Sequence, residues 1–316
     1  MGLPWILAIL FMFQQGQYSD PLVIEHDGRV ISEMKRAQYS DSLTGIPLVD
    51  QDKLHKFMDD LEKRVQKPPI NAVLDGAGRI MPEHTGSKLN RKAFEEQVYS
   101  FIFEGELSRL EIPMLTTYPK VDSELLSVIK TKKIGLYATY YNSRNKNRSH
   151  NVELAAKAIN NHVVFPDERF SFNEVVGKRT REKGYLRAPV IVRGEVSEDV
   201  GGGICQISST LFNAVDRAGL KIVERYSHSR HVKYVPAGRD ATVSWYGPDF
   251  VFQNKYDQPI LIRAYAQGGQ VSIVICSTED INAKTRQVPS ASKKLPEEIK
   301  LEMDAGGSES IIDIID

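Results

Sequence analysis

The sequence predicts an α+β protein: a small N-terminal α+β domain, then a larger mixed, β-rich domain built around a glycine loop and a cysteine-bearing helix. Three observations carry this. Two amphipathic helical patterns, at Asp50–Val65 and Asn90–Phe103, alternate with short strand-and-turn segments in the first third of the chain. Apolar residues at steps of three and four follow directly on Gly201-Gly202-Gly203. After Gly219, short apolar runs divided by turn residues read as successive strands.

Composition sets the outer bounds. The 316 residues suffice for about two domains. A hydrophobic content of 41% with 26% charged residues is that of a globular protein. The 41 basic and 41 acidic residues cancel, so there is no electrostatic footprint for nucleic acid. Cys205 and Cys276 are the only cysteines, which excludes a disulfide-rich scaffold and a four-cysteine zinc site. The expected division is a signal-like or anchor segment at 1–20, an N-terminal domain at 21–124, the larger domain at 125–280 and a weakly ordered tail at 281–316.

Leu3–Phe13 is apolar and uncharged. It is shorter than the ~20 residues of a transmembrane helix and matches a signal-peptide core in length. No Lys or Arg precedes it, and Gln14-Gln15-Gly16-Gln17 stands where a small-residue cleavage site belongs, so a buried helix or strand is the alternative. The expectation is an exported or membrane-tethered protein. Strands at Leu22–Glu25 and Arg29–Ile31 flank an Asp27-Gly28 turn. Asp50 is placed to cap a helix whose face is Leu54, Phe57, Met58, Leu61 and Val65. Asn71–Leu74 and Arg79–Pro82 form a hairpin, a second helix runs from Asn90 to Phe103, and a strand follows at Arg109–Thr117.

Leu125–Lys133 reads as a helical linker, and the larger domain opens with a strand at Ile134–Tyr141. Asn142–Ser149 reads as a polar loop, Asn151–Asn161 as a helix, and Val163-Val164 and Phe170–Asn173 as short strands about a Pro166-Asp167 turn. A strand at Ala188–Val192 leads to the glycine loop. Ile204, Ile207, Leu211, Ala214, Val215 and Ala218 mark the helix that follows, and Gly219 ends it. Strands are expected at Lys221–Tyr226, Thr242–Tyr246, Phe250–Phe252, Ile260–Tyr265 and Val271–Cys276, the last two joined at Gly268-Gly269. Cys276 closes an apolar strand and reads as structural.

The chemistry centres on Cys205. In the first turn of a helix, unpaired N–H groups and the helix dipole favour a thiolate, which lowers a cysteine's pKa and makes it nucleophilic. The same N–H groups suit an oxyanion. The competing reading is a small buried hydrophobe behind a tight turn. His228, in a loop after a strand, is the candidate base, with His231 its rival. Asp240 is the candidate for orienting the imidazole. A zinc site of Cys205, His228 and Asp240 fits by ligand type, but only His228 and His231 are closely spaced.

Many ordered blocks in the chain resemble the VanW family. They include Arg148-Ser149-His150-Asn151-Val152, Phe170-Ser171-Phe172-Asn173, Val176-Gly177-Lys178-Arg179-Thr180 and Gly201 through Ala214. Further on come His228-Ser229, Tyr234 through Val243, and Asp249-Phe250. Asp167 stands where the family's turn usually has glycine. Ahead of these, Ile70-Asn71-Ala72, Gly78–Pro82 and Gly86–Asn90 resemble the peptidoglycan-binding domain that often precedes a VanW domain.

The family takes its name from an accessory component of vancomycin-resistance clusters, and some members are regarded as L,D-transpeptidases that cross-link peptidoglycan stem peptides through a cysteine. The resemblance implies Cys205 as nucleophile, His228 as base and Asp240 as its support. It implies a substrate site lined by Gly202, Gly203, Gln206, Ser208 and Ser209, with Arg148, Arg179, Arg181 or Arg144 holding a stem carboxylate. It implies cell-wall partners, an extracytoplasmic location, and no cofactor or metal. The alternatives are a non-catalytic wall-binding module and a metal-dependent wall hydrolase.

Overall fold

The computed structural model describes residues 21–43, 46–105, 107–192 and 195–295. Within these the chain forms two units. One takes the chain up to Ala72 together with Pro82–Asp122; the other takes Val73–Met81 together with the chain from Ser123 onward.

The first unit is α+β. Leu22–His26 pairs antiparallel with Arg29–Met34 and parallel with Arg109–Glu111. The turn between the first two strands is Asp27-Gly28, both at positive φ. Helices Gln51–Val65 and Arg91–Phe103 begin where the sequence places their caps: the Asp50 side chain accepts from the Lys53 amide, and that of Asn90 from the Ala93 amide. Their apolar faces close over the sheet, burying Leu22, Ile24, Met34, Leu54, Phe94 and Phe101 completely.

In the second unit a four-stranded antiparallel sheet runs in the order Lys132–Tyr140, Gln270–Ser277, Ile260–Gln267, His162–Val164. The cysteine helix, Ile204–Arg217, crosses it, approaching so closely at Gly135 that a Cβ there would collide with the Ala214 carbonyl. A second antiparallel sheet joins Arg169–Ser171, Val251–Gln253 and Lys221–Glu224. Between them Phe170 stacks on Phe252 at 5.0 Å, and Phe212 meets Phe250 edge-on. Asp167 sits at φ +62°, so the turn does take the left-handed conformation that glycine would fill, and aspartate is among the residues that tolerate it.

Several elements differ from expectation. The hairpin Val73–Leu74/Ile80–Met81 forms as predicted but belongs with the second unit, where Asn161 bonds both the amide and the carbonyl of Leu74, and Arg263 bonds the Asp75 carbonyl. The polar run before Asn151 is already helical from Lys146, because the Asn145 side chain caps it at the Arg148 amide. The linker helix stops at Ile129, and Lys132 and Lys133 enter the edge strand. Phe172–Val176 is a short helix capped by Ser171.

Thr242–Tyr246 is not a strand; hydrogen bonds to Tyr226 and Pro248 hold its backbone outside any sheet. Residues 281–295, expected to be weakly ordered from their polarity, are tied down instead. Ile281 and Val288 are buried, the Arg286 amide bonds the Arg217 carbonyl, and the Tyr137 hydroxyl bonds the Pro289 carbonyl. The apolar run Leu3–Phe13 and the end of the expected tail, residues 296–316, lie outside the described residues. Among those described, no helix is long and apolar enough to cross a membrane.

Candidate active site

The site is assembled at the start of the cysteine helix. Gly203 precedes Ile204 at φ +102°, a conformation open to glycine at no steric cost. A Cβ on Gly202 would run into the backbone of Ala188 and Pro189. The loop is pinned from the opposite side by Asn151, fully buried, which donates to the Gly202 carbonyl at 3.0 Å and brackets Leu186 with two further bonds. Cys205 therefore emerges from a rigid turn, half-buried rather than sealed.

The other members come from the irregular chain between Tyr226 and Val243. His228 Nδ1 lies 2.7 Å from Asp240 Oδ2, and the same carboxylate oxygen accepts the His228 amide at 2.7 Å. Both side chains are almost wholly buried, at 6% and 9% exposure. His228 in turn hydrogen-bonds the Cys205 thiol. With Nδ1 held by the carboxylate, Nε2 is the nitrogen left for sulfur. His231 is exposed. Sγ also lies 3.5 Å from the Val243 carbonyl and 3.8 Å from the Thr242 hydroxyl.

Electrostatics follow from this chain of contacts. Burial alone would raise the Cys205 pKa, but the hydrogen bond and charge of His228, with help from the Val243 backbone and Thr242, bring it below its ordinary value. Burial likewise opposes charge on His228, yet Asp240 and Cys205 outweigh it and lift its pKa to about 9. Asp240 is held at about 2, its burial overcome by the two His228 hydrogen bonds. Each charge favours the next: the carboxylate favours the imidazolium, and the imidazolium favours the thiolate.

The remaining predicted residues divide. The hydroxyls of Ser208 and Ser209 are buried and bond the carbonyls of Ala241 and Cys205, and Ser209 also accepts the Ala241 amide at 2.9 Å. They lock the Asp240–Val243 segment to the helix. Gln206 is likewise buried, its amide committed to Thr139, the Tyr140 carbonyl and Arg148. These three were expected among the substrate-binding residues, and the polar core of the domain claims them instead. Arg148 is bonded to Gln206 at 2.7 Å and lies over Gly203. Arg144 and Arg181 are exposed.

Arg179 is different. Its Nη2 bonds Asn173 Oδ1 at 2.7 Å, and Asn173 is itself fixed by Asp249 and by the carbonyls of Ser244 and Pro248. Its Nη1 is buried with no partner among the described residues. Burial lowers the guanidinium's pKa, and the negative sulfur of Cys205 pulls the other way, which places the two groups in each other's field. Thr242, Val243, Asn151 and Asn173 were not singled out from sequence; only their place inside the ordered blocks signalled them. Among the described residues no group of three or more His, Cys, Asp or Glu side chains is placed to hold a metal ion.

Comparison with known proteins gives the chain's family. A family model described as VanW like protein matches residues 147–276, and one described as a peptidoglycan binding domain matches residues 23–111. The chain is 54% identical over 297 residues to the uncharacterized protein YoaR of Bacillus subtilis, covering 94% of this chain and 98% of that relative. It is 32% identical over 119 residues to the vancomycin B-type resistance protein VanW of Enterococcus faecalis, covering 35% of this chain and 42% of that relative. No solved structure matches it. Taken with the fold, these matches place the chain in the VanW family, with a peptidoglycan-binding domain ahead of its VanW domain.

Proposed function

We propose that this protein is an extracytoplasmic cysteine acyl-transferase of the cell wall, of the L,D-transpeptidase type, acting on peptidoglycan stem peptides. The peptidoglycan-binding domain supports association with the cell wall. The observation that carries the catalytic reading is the chain Cys205–His228–Asp240 at a helix N-terminus, which is the nucleophile–base–orienter arrangement of acyl transfer.

The Cys205 thiolate attacks the carbonyl joining the third and fourth residues of a donor stem, and a C–S bond forms as the carbonyl π pair moves to oxygen. Collapse breaks the C–N bond, and the departing amine takes the proton held on His228. An acceptor amine then gives a proton to His228 and displaces the sulfur, restoring the thiolate and leaving a new amide. With water as acceptor the same site is a carboxypeptidase. Arg179 holds a carboxylate of the donor through its unpartnered Nη1, a charge-assisted bond.

The test is exchange of the terminal residue of a synthetic stem tetrapeptide by the purified full chain. The unaltered protein exchanges it, and Cys205→Ala lowers the rate by ~10³-fold or more, as loss of a covalent nucleophile does. Equal exchange by both proteins overturns the reading and leaves a wall-binding module.

A further inference from the structure

Asp240 sits in irregular chain, so neither a helix nor a sheet aims its carboxylate at His228. Its neighbours are fastened to the cysteine helix. Asn213, fully buried, donates to the Arg239 carbonyl at 2.8 Å and accepts from Arg239 Nε at 2.8 Å. Ser209 accepts the Ala241 amide at 2.9 Å. The carbonyl of Asp240 itself goes to Arg225, whose Nη1 donates to it at 2.7 Å and to the Gly238 carbonyl at 3.2 Å.

Arg225 directly follows the strand Lys221–Glu224 and stands three residues before His228. The contacts therefore close a ring. Arg225 grips the Asp240 backbone, and the Asp240 carboxylate returns to the amide and the imidazole of His228. Beside it the Thr242 amide bonds the Tyr226 carbonyl at 2.8 Å. The guanidinium also lies 4.9 Å from the ring centre of Phe212, on the cysteine helix. One side chain thus touches the helix, the histidine segment and the aspartate turn. A planar guanidinium suits this duty, because its donors are held in a fixed fork.

We propose that Arg225 is a positioning residue that holds the Asp240 carboxylate against His228, and through that pair keeps Cys205 reactive. The proposal rests on the reading of Cys205 as a reactive thiol paired with His228. The effect of Arg225 passes through Asp240. The other titratable groups set in the field of Cys205 are Arg179 and Tyr234, and both stay in place in the variants compared.

The experiment is the pH profile of iodoacetamide alkylation of Cys205 in the full chain, with Cys205→Ala giving the background from Cys276. Arg225→Met keeps an apolar stem for Phe212 and removes both carbonyl bonds. Its alkylation at mildly acidic pH is expected to fall ~10-fold, the effect of a thiol pKa higher by about one. At alkaline pH, where the thiol ionises without help, the rate is expected to stay within about twofold. Should Arg225→Met fail to fold, Arg225→Lys, which keeps the charge but not the fork, carries the same comparison. In an Asp240→Asn background the Arg225 substitution is expected to change the acidic rate by less than about twofold, since the group it acts through is gone. Unchanged acidic alkylation in the single variant overturns the proposal. An equal fall at every pH also overturns it, because that is lost access or packing. So does a fall of the same size in the Asp240→Asn background. If Cys205 of the unaltered chain alkylates at mildly acidic pH no faster than free cysteine, the reading of a reactive thiol fails and the proposal falls with it.

Discussion

At Cys205 burial and ionisation pull in opposite directions, and His228 decides the outcome. Desolvation favours the neutral thiol, yet the His228 imidazolium, itself held by Asp240, together with the Val243 backbone and Thr242 brings the thiol pKa below its ordinary value. The signs give a pH window. The proposed transfer needs a sulfur that has lost its proton and an imidazole that keeps one. Activity is therefore expected to rise through the lowered thiol pKa and to fall as the pH passes about 9, where His228 gives up its proton.

Replacing Asp240 with Asn removes the carboxylate that stabilises the imidazolium. The thiol pKa then moves up toward its ordinary value, and iodoacetamide alkylation of Cys205 at mildly acidic pH should slow by ~10-fold for each unit regained. An unshifted alkylation profile in Asp240→Asn contradicts the account of the pair. These residues were legible in sequence as types: a cysteine opening a helix, a histidine leaving a strand, an aspartate in a later turn. Choosing His228 over His231 was not, because three residues of irregular chain do not fix which ring turns inward.

At the scale of elements, the glycine loop and the cysteine helix form one device. Gly203 supplies the left-handed turn, Gly202 lets the loop lie against the Ala188–Pro189 backbone, and Asn151 fastens it from the neighbouring helix. Gly202→Ala places a methyl against backbone that cannot swing aside. The expected cost is about 1–3 kcal/mol, typical of overpacking, read as a lower thermal midpoint together with slower Cys205 alkylation. An unchanged midpoint with unchanged alkylation contradicts the packing argument.

The helix was readable because its apolar residues recur at helical spacing over four turns. Its serines were misread. Ser208 and Ser209 suggested a polar surface near Cys205, but they are buried links to Ala241. A hydroxyl looks the same in sequence whether it meets ligand or backbone. The same links explain why Thr242–Tyr246, alternating and apolar enough for a strand, is not one. The helix ties down Ala241 just before it, and backbone bonds to Tyr226 and Pro248 stand in place of a sheet ladder.

For the whole molecule, the α+β class and the order of the two domains could be read from patterning, because amphipathic helices and short strands leave local signatures. The assignment of Val73–Met81 to the second unit could not. It depends on Asn161 and Arg263, which are 87 and 188 residues away from their hairpin partners. Order in residues 281–295 was hidden for the same reason: Arg217 and Asp216 in the cysteine helix anchor a stretch whose own composition is polar.

The central claim is covalent chemistry at one sulfur. Its most direct test is the intact mass of the full chain quenched during reaction with a stem tetrapeptide. The account predicts an added mass equal to the donor acyl group without its terminal residue, mapping to a thioester at Cys205 and absent from Cys205→Ala. An adduct that persists in Cys205→Ala, or turnover of the peptide with no adduct on the unaltered chain under conditions that trap thioesters, would contradict it.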